Sequence, residues 1–143
     1  MTSYVLDASV AATWFLPAEG EPLFDQALEI QRGFLRGSLD LMAPDLLWPE
    51  VGNVLWKASR RGRISAATAQ EAADSFGQLR IPSVESARLL KHAVVLACST
   101  GRSVYDCLYV ALAVTSQRPL LTADERLANS LAAHFPIHWL GAI

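Results

Sequence analysis

The chain lacks any apolar run near the roughly twenty residues that cross a bilayer, and it has no basic start of the kind that opens a signal peptide. Both absences predict a soluble, cytoplasmic protein with no membrane partner. A surplus of positive charge is missing too. With a formal net charge of -2 and a pI near 5.9, bulk electrostatics will not coat this protein with nucleic acid. The two cysteines, Cys98 and Cys107, form neither a C-x-x-C nor a metal-ligand spacing. Each falls in an apolar helical run, so both read as buried free thiols suited to a reducing compartment. Repeats, linkers and low-complexity tracts are also absent. What is present is 143 residues, 52% of them hydrophobic, enough for one domain spanning 1–143 around one core.

Along the chain, short apolar runs alternate with helical patterns. Residues 3–6 (SYVL) predict a buried strand, and Asp7 and Ser9 can cap the helix that follows with Val10, Trp14 and Phe15. A second helix runs from about Pro22 to Arg36, ahead of Gly37. LDLMA, ending at Ala43, predicts the next strand, after which Pro44 and Asp45 open a helix carrying Glu50, Val54 and Lys57. Ser65 caps an alanine-rich helix that ends near Leu79, and residues 80–82 form a short extended link or edge strand. Helices follow over about 85–99 and 104–116, then the strand PLLT, a helix started by Asp124, and a closing run IHWL. Strands alternating with helices predict an α/β fold with a central parallel sheet flanked by α-helices.

Asp7, Glu50, Asp106 and Asp124 each stand at or near a point where an apolar run gives way to a helix. In a parallel sheet the carboxyl ends of the strands share one edge, so these acids converge there. Gathered carboxylates repel, and a hard divalent cation taking oxygen ligands is the simplest way to hold them together. Each acid also has an ordinary explanation. Asp7 can cap a helix, Glu50 can be an exposed helical acid, Asp106 completes an S-x-x-D capping pattern with Ser103, and Asp124 suits the positive end of a helix. Ser9 and Thr122, two residues from Asp7 and Asp124, can orient those carboxylates or serve as plain caps.

The segments YVLDASV, PEVGNVLW, SVYDCLYVALA and PLLTADERLA, in this order and spacing, closely resemble PIN-domain ribonucleases, most specifically the VapC toxins of bacterial toxin-antitoxin modules. The resemblance covers essentially the whole chain. It implies a single PIN-like domain in which Asp7, Glu50, Asp106 and Asp124 form an acidic site for Mg2+ or Mn2+, supported by Ser9, Asn53 and Thr122. It further implies RNA as substrate, a VapB-like antitoxin as partner, and a homodimer. The chemistry expected is metal-assisted phosphodiester hydrolysis: Asp7, Asp106 and Asp124 hold the ion, and Glu50 is a further ligand or the acceptor of the water's proton.

No Ser-His or Cys-His arrangement stands near these acids. His92, His134 and His138 do not fall beside them and read as surface or packing residues. Tyr109 reads as core with a satisfied hydroxyl, and Tyr105 as a residue open to substrate. Trp14, Phe15, Trp48 and Trp56 are candidate anchors for the antitoxin. Lys57, Arg60, Arg61 and Arg63 make a compact basic cluster, with Arg80, Arg88, Lys91 and Arg102 as further candidates for a phosphate-facing rim, although Arg60 and Arg61 also simply suit a helix C-terminus. The competing class is a non-catalytic phospho-receiver or flavodoxin-like signalling domain, which also gathers acids at strand ends. It fits less well, since no lysine follows Lys91 to serve as its strand-end cation.

Overall fold

The computed structural model describes residues 1–143. Val5 and Leu6 are fully buried at the end of β1 (Thr2–Leu6), where each contributes roughly 1.5–3 kcal/mol of apolar burial. Six further elements follow: α1 (Ala8–Thr13), α2 (Phe24–Arg36), β2 (Leu39–Pro44), α3 (Leu47–Arg60), α4 (Ala66–Gln78) and β3 (Ser83–Val84). Then come α5 (Ser86–Thr100), α6 (Val104–Ser116), β4 (Leu120–Thr122), α7 (Glu125–Leu131) and β5 (Ile137–Trp139), ahead of a closing 3-10 turn (Leu140–Ala142). All strand pairs are parallel, in the order β3-β2-β1-β4-β5. The chain therefore builds outward from β1 in one direction and then returns to its other side. The reversal point lies between β1 and β4, and it is there that such sheets open a crevice beyond their strand ends.

α6 is the central helix. Residues from Cys107 to Ala113 are buried without interruption, so this helix is apolar all round. Ser103 caps it by accepting from the Asp106 N–H at 3.1 Å. α3 is two-sided: Leu47, Val51, Leu55 and Ala58 enter the core at helical spacing, while Glu50, Asn53 and Lys57 lie on its other flank.

Three expectations need correction. The helix expected from Pro44 and Asp45 begins instead at Leu47, since Pro44 still pairs with Val84 as the last residue of β2. Asp45 caps a different helix, accepting from the backbone and hydroxyl of Ser86 at the start of α5. The edge strand lies at Ser83–Val84, just after the predicted link. Cys107 is buried as expected, but Cys98 is exposed, because α5 turns Leu90, Val94, Val95 and Cys98 outward.

Candidate active site

Asp7 follows β1 and Asp124 follows β4, so the two neighbouring strands deliver both acids to the sheet's crevice. Glu50 reaches it from the first turn of α3 and Asp106 from the first turn of α6. All four line one cavity of about 480 Å³, together with Ser9, Asn53, Lys57 and Tyr105. Thr122 is fully buried behind this wall.

Asp7 occupies the N-cap position of α1, yet its side chain makes no capping bond. Its Oδ2 instead accepts from the Ser9 hydroxyl at 2.5 Å and from the Thr122 hydroxyl at 2.9 Å. Both donors are themselves oriented. The Ala123 N–H donates to Ser9 Oγ at 2.9 Å, and the Asp124 N–H donates to Thr122 Oγ1 at 3.0 Å. With an N–H aimed at each oxygen, the single proton of each hydroxyl is committed to Asp7. One carboxylate oxygen is thus locked in place by two hydroxyls. Burial pushes the Asp7 carboxyl pKa up, the Ser9 and Thr122 bonds pull it down, and the Asp106 charge raises it again.

Glu50 Oε1 accepts from the Tyr109 hydroxyl at 2.6 Å. Burial raises the Glu50 pKa, the Tyr109 bond lowers it, and the nearby charges of Asp7 and Asp106 raise it further. The Tyr109 phenol is itself pushed far above its ordinary value, first by burial and then by Asp7 and Glu50. It remains a proton donor throughout the working range of pH, as its expected core position requires.

Asp106 and Asp124 share a cation that sequence reasoning had only as one of several rim candidates. Arg102 Nη2 lies 3.1 Å from Asp106 Oδ2 and 4.0 Å from Asp124 Oδ2. Its i,i+4 spacing from Asp106 was the available signal. Gly101, with φ of +76°, ends α5 and turns the chain so that Arg102 faces the acids. Asp124 is also a true N-cap, its Oδ1 accepting from the Leu127 N–H at 3.1 Å. As they stand, no three of the acidic side chains are drawn together tightly enough to grip an ion. The donor set nevertheless fits a hard divalent cation: it is made of carboxylate oxygens only, and the Asp7 and Glu50 carboxyls, raised in pKa, bear part of their charge at a cost that a cation would offset.

Other candidates lie elsewhere. None of the three histidines lines the cavity. Trp14 is buried with its indole N–H donating to the Ala27 carbonyl, Phe15 packs edge-on against Phe76, and Trp48 leans on the same ring, so these three knit the core and are not free anchors. Trp56 is 52% exposed and remains open. Arg63 leaves the basic cluster to pair with Glu21 at 3.1 Å.

A PIN-domain family model matches residues 4–130. Ribonuclease VapC3 of Pyrobaculum aerophilum is 35% identical over 133 residues, covering 90% of this chain and 95% of that protein. Ribonuclease VapC1 of Mycobacterium tuberculosis is 40% identical over 102 residues, 69% of this chain and 73% of its own length. Among solved structures, one from Pyrobaculum aerophilum superposes with a TM-score of 0.71 at 22% identity, covering 99% of this chain and 91% of that one. VapBC2 of Rickettsia felis, crystallised with a DNA fragment from its promoter, gives a TM-score of 0.62 at 12% identity over 96% of this chain and 98% of that one. At those identities the two structures establish the fold alone. A family model spanning most of the sequence, with a relative 35% identical over nine-tenths of it, places the chain in the PIN-domain family, within its VapC group.

Proposed function

We propose that this chain is a divalent-metal-dependent endoribonuclease acting in the cytoplasm as the toxin of a toxin-antitoxin pair. The observation that carries the reading is the meeting of Asp7, Glu50, Asp106 and Asp124, from four separate elements, in one cleft at the reversal point of the sheet. Asp7, Asp106 and Asp124 would hold Mg2+ or Mn2+, with Glu50 as a further ligand or as base. The bound ion supplies water activation and offsets the charge that develops on the phosphate.

The chain's own residues divide the remaining work. Ser9 and Thr122 fix one Asp7 oxygen so that the other presents to the cleft. Tyr109 holds Glu50 by Oε1 and leaves Oε2 free to accept a proton from the attacking water, a role suited to a carboxylate whose pKa is raised. Asn53 and Tyr105 stand on the rim, where they can contact the RNA. The relatives named as ribonucleases support the same activity here.

The expected partner is a VapB-like antitoxin, a reading supported by the VapBC2 assembly that shares this fold. The groove lined by Leu55, Trp56, Ala66, Ala69 and Ala73, about 260 Å³, is the apolar surface open to it. A homodimer would use the outward Leu90, Val94 and Val95 of α5. Membership in the PIN family leaves the phospho-receiver alternative without support.

Glu50→Gln keeps the Tyr109 acceptor and removes the base. RNA cleavage should fall by roughly 10²–10⁴ with the fold intact. Cleavage at the wild-type rate by a folded Glu50→Gln protein would show that Glu50 neither helps to hold the ion nor accepts the proton.

A further inference from the structure

We propose that Lys57, Arg60 and Arg61 form a phosphate subsite that holds single-stranded RNA beside the acidic cleft, away from the bond being cut. The inference rests on the ribonuclease reading above and adds where the substrate lies.

These three side chains alone line a cavity of about 190 Å³ at the end of α3. The chain's ion pairs engage only Arg32, Arg63 and Arg102, so none of the three has a carboxylate partner. Cations gathered in one concavity repel, and an anion seated between them removes that cost through charge-assisted hydrogen bonds. The helix end does not need them as caps. Its last carbonyls already receive the backbone N–H groups of Arg61, Gly62 and Arg63, at 2.9–3.0 Å. The helix dipole favours positive charge at this end but does not require three such groups to share a cavity.

Arg60 is pre-oriented as well. Its guanidinium carbon lies 4.9 Å from the centre of the Trp56 ring, a cation–π contact that holds the side chain at the helix end without using up its N–H donors.

Continuity with the cleft identifies the occupant. Lys57 lines both the acidic cavity and the basic one. On a helix, Glu50, Lys57 and Arg61 fall within about 20° of one line, with Lys57 about 10 Å and Arg61 about 16 Å along the axis from Glu50. A chain of phosphates entering the cleft can follow this row, whereas a lone phosphate gains nothing from it. The row also supplies the local attraction that a protein of net charge -2 otherwise lacks.

The test separates binding from cutting. Asp7→Asn protein, in Mg2+, is titrated with a short fluorescent single-stranded RNA at several salt concentrations, alone and combined with Arg60→Gln and Arg61→Gln. The double substitution should weaken binding on the order of tenfold and flatten the log-affinity against log-salt slope by about 1.4, the value for two lost phosphate contacts on a single strand. Arg36→Gln, on α2, should change neither quantity. Unchanged affinity and slope, or no RNA binding by the Asp7→Asn parent, overturns the subsite. Loss of binding to a co-expressed VapB-like antitoxin with RNA affinity intact also overturns it, since the surface would then serve a protein. If the slope depends on Arg60 and Arg61 while wild-type protein cuts no RNA, the subsite stands and the nuclease reading fails.

Discussion

Asp7 has two hydroxyl donors, almost no exposure and acidic neighbours, so its charge is destabilising in the metal-free chain. Its carboxyl holds a proton to higher pH in the folded chain than at the ordinary value of 3.8, and Glu50 does likewise above 4.5. Between the unfolded and folded values the native state carries more protons, so unfolding releases them and metal-free stability falls as pH rises through that window. Above it the loss is complete. Asp7→Asn removes the charge at nearly constant volume and should therefore raise the melting temperature of chelator-treated protein at neutral pH by a few degrees, each ~1 kcal/mol being worth about 2–8 °C in a chain of this size. The same substitution should abolish cleavage. A lower melting temperature at neutral pH would show that the Asp7 charge is already compensated. Arg102 belongs to this scale too. It lies against Asp106 and Asp124 from one side and would compete for them with the proposed ion. Arg102→Met should tighten Mn2+ binding roughly tenfold in a calorimetric titration, the direction being set by the loss of a competing positive charge.

At the scale of elements, local chemistry was readable wherever a helix start or stop depended on neighbouring residues. α6 runs over Val104–Ser116 as expected, because Ser103 caps it and the chain turns away before Pro119. α3 was misplaced at its start because proline suits a first helical turn and a strand end alike, and the choice was made by β3, some forty residues later. α5 misled in another way. An apolar helix suggests burial all round, but only Leu89, Ala93 and Leu96 enter the core, so Cys98 faces out. The Asp7–Thr122 bond spans 115 positions in sequence and ties the end of β4 to the end of β1. Adjacent capping patterns carry no trace of such a bond. Thr122→Val tests it: the Asp124 N–H loses its acceptor, at about 1–3 kcal/mol of stability, and Asp7 loses one of the two hydroxyl bonds that lower its pKa. The acid limb of the pH–rate profile should move to higher pH, whereas a merely structural threonine would leave that limb in place.

For the whole molecule, topology does what no single segment does. Order β3-β2-β1-β4-β5 puts β1 beside β4, so acids at positions 7 and 124 meet, and α3 and α6 bring 50 and 106 to the same cleft. The ordered motifs made this convergence legible, but the share of each acid in capping, pairing and repulsion needed the three-dimensional arrangement. Four carboxylates gathered in one cleft, two of them beside Arg102, form a site whose natural complement is a divalent ion. The most direct measurement is RNA cleavage by purified, chelator-treated chain, read against its melting temperature with and without added Mg2+ or Mn2+. Cleavage should be absent after chelation and return with the ion, and the same ion should raise the melting temperature, because it binds only the folded site. Full cleavage by metal-free protein, or restored cleavage that persists in Asp7→Asn, would contradict the account.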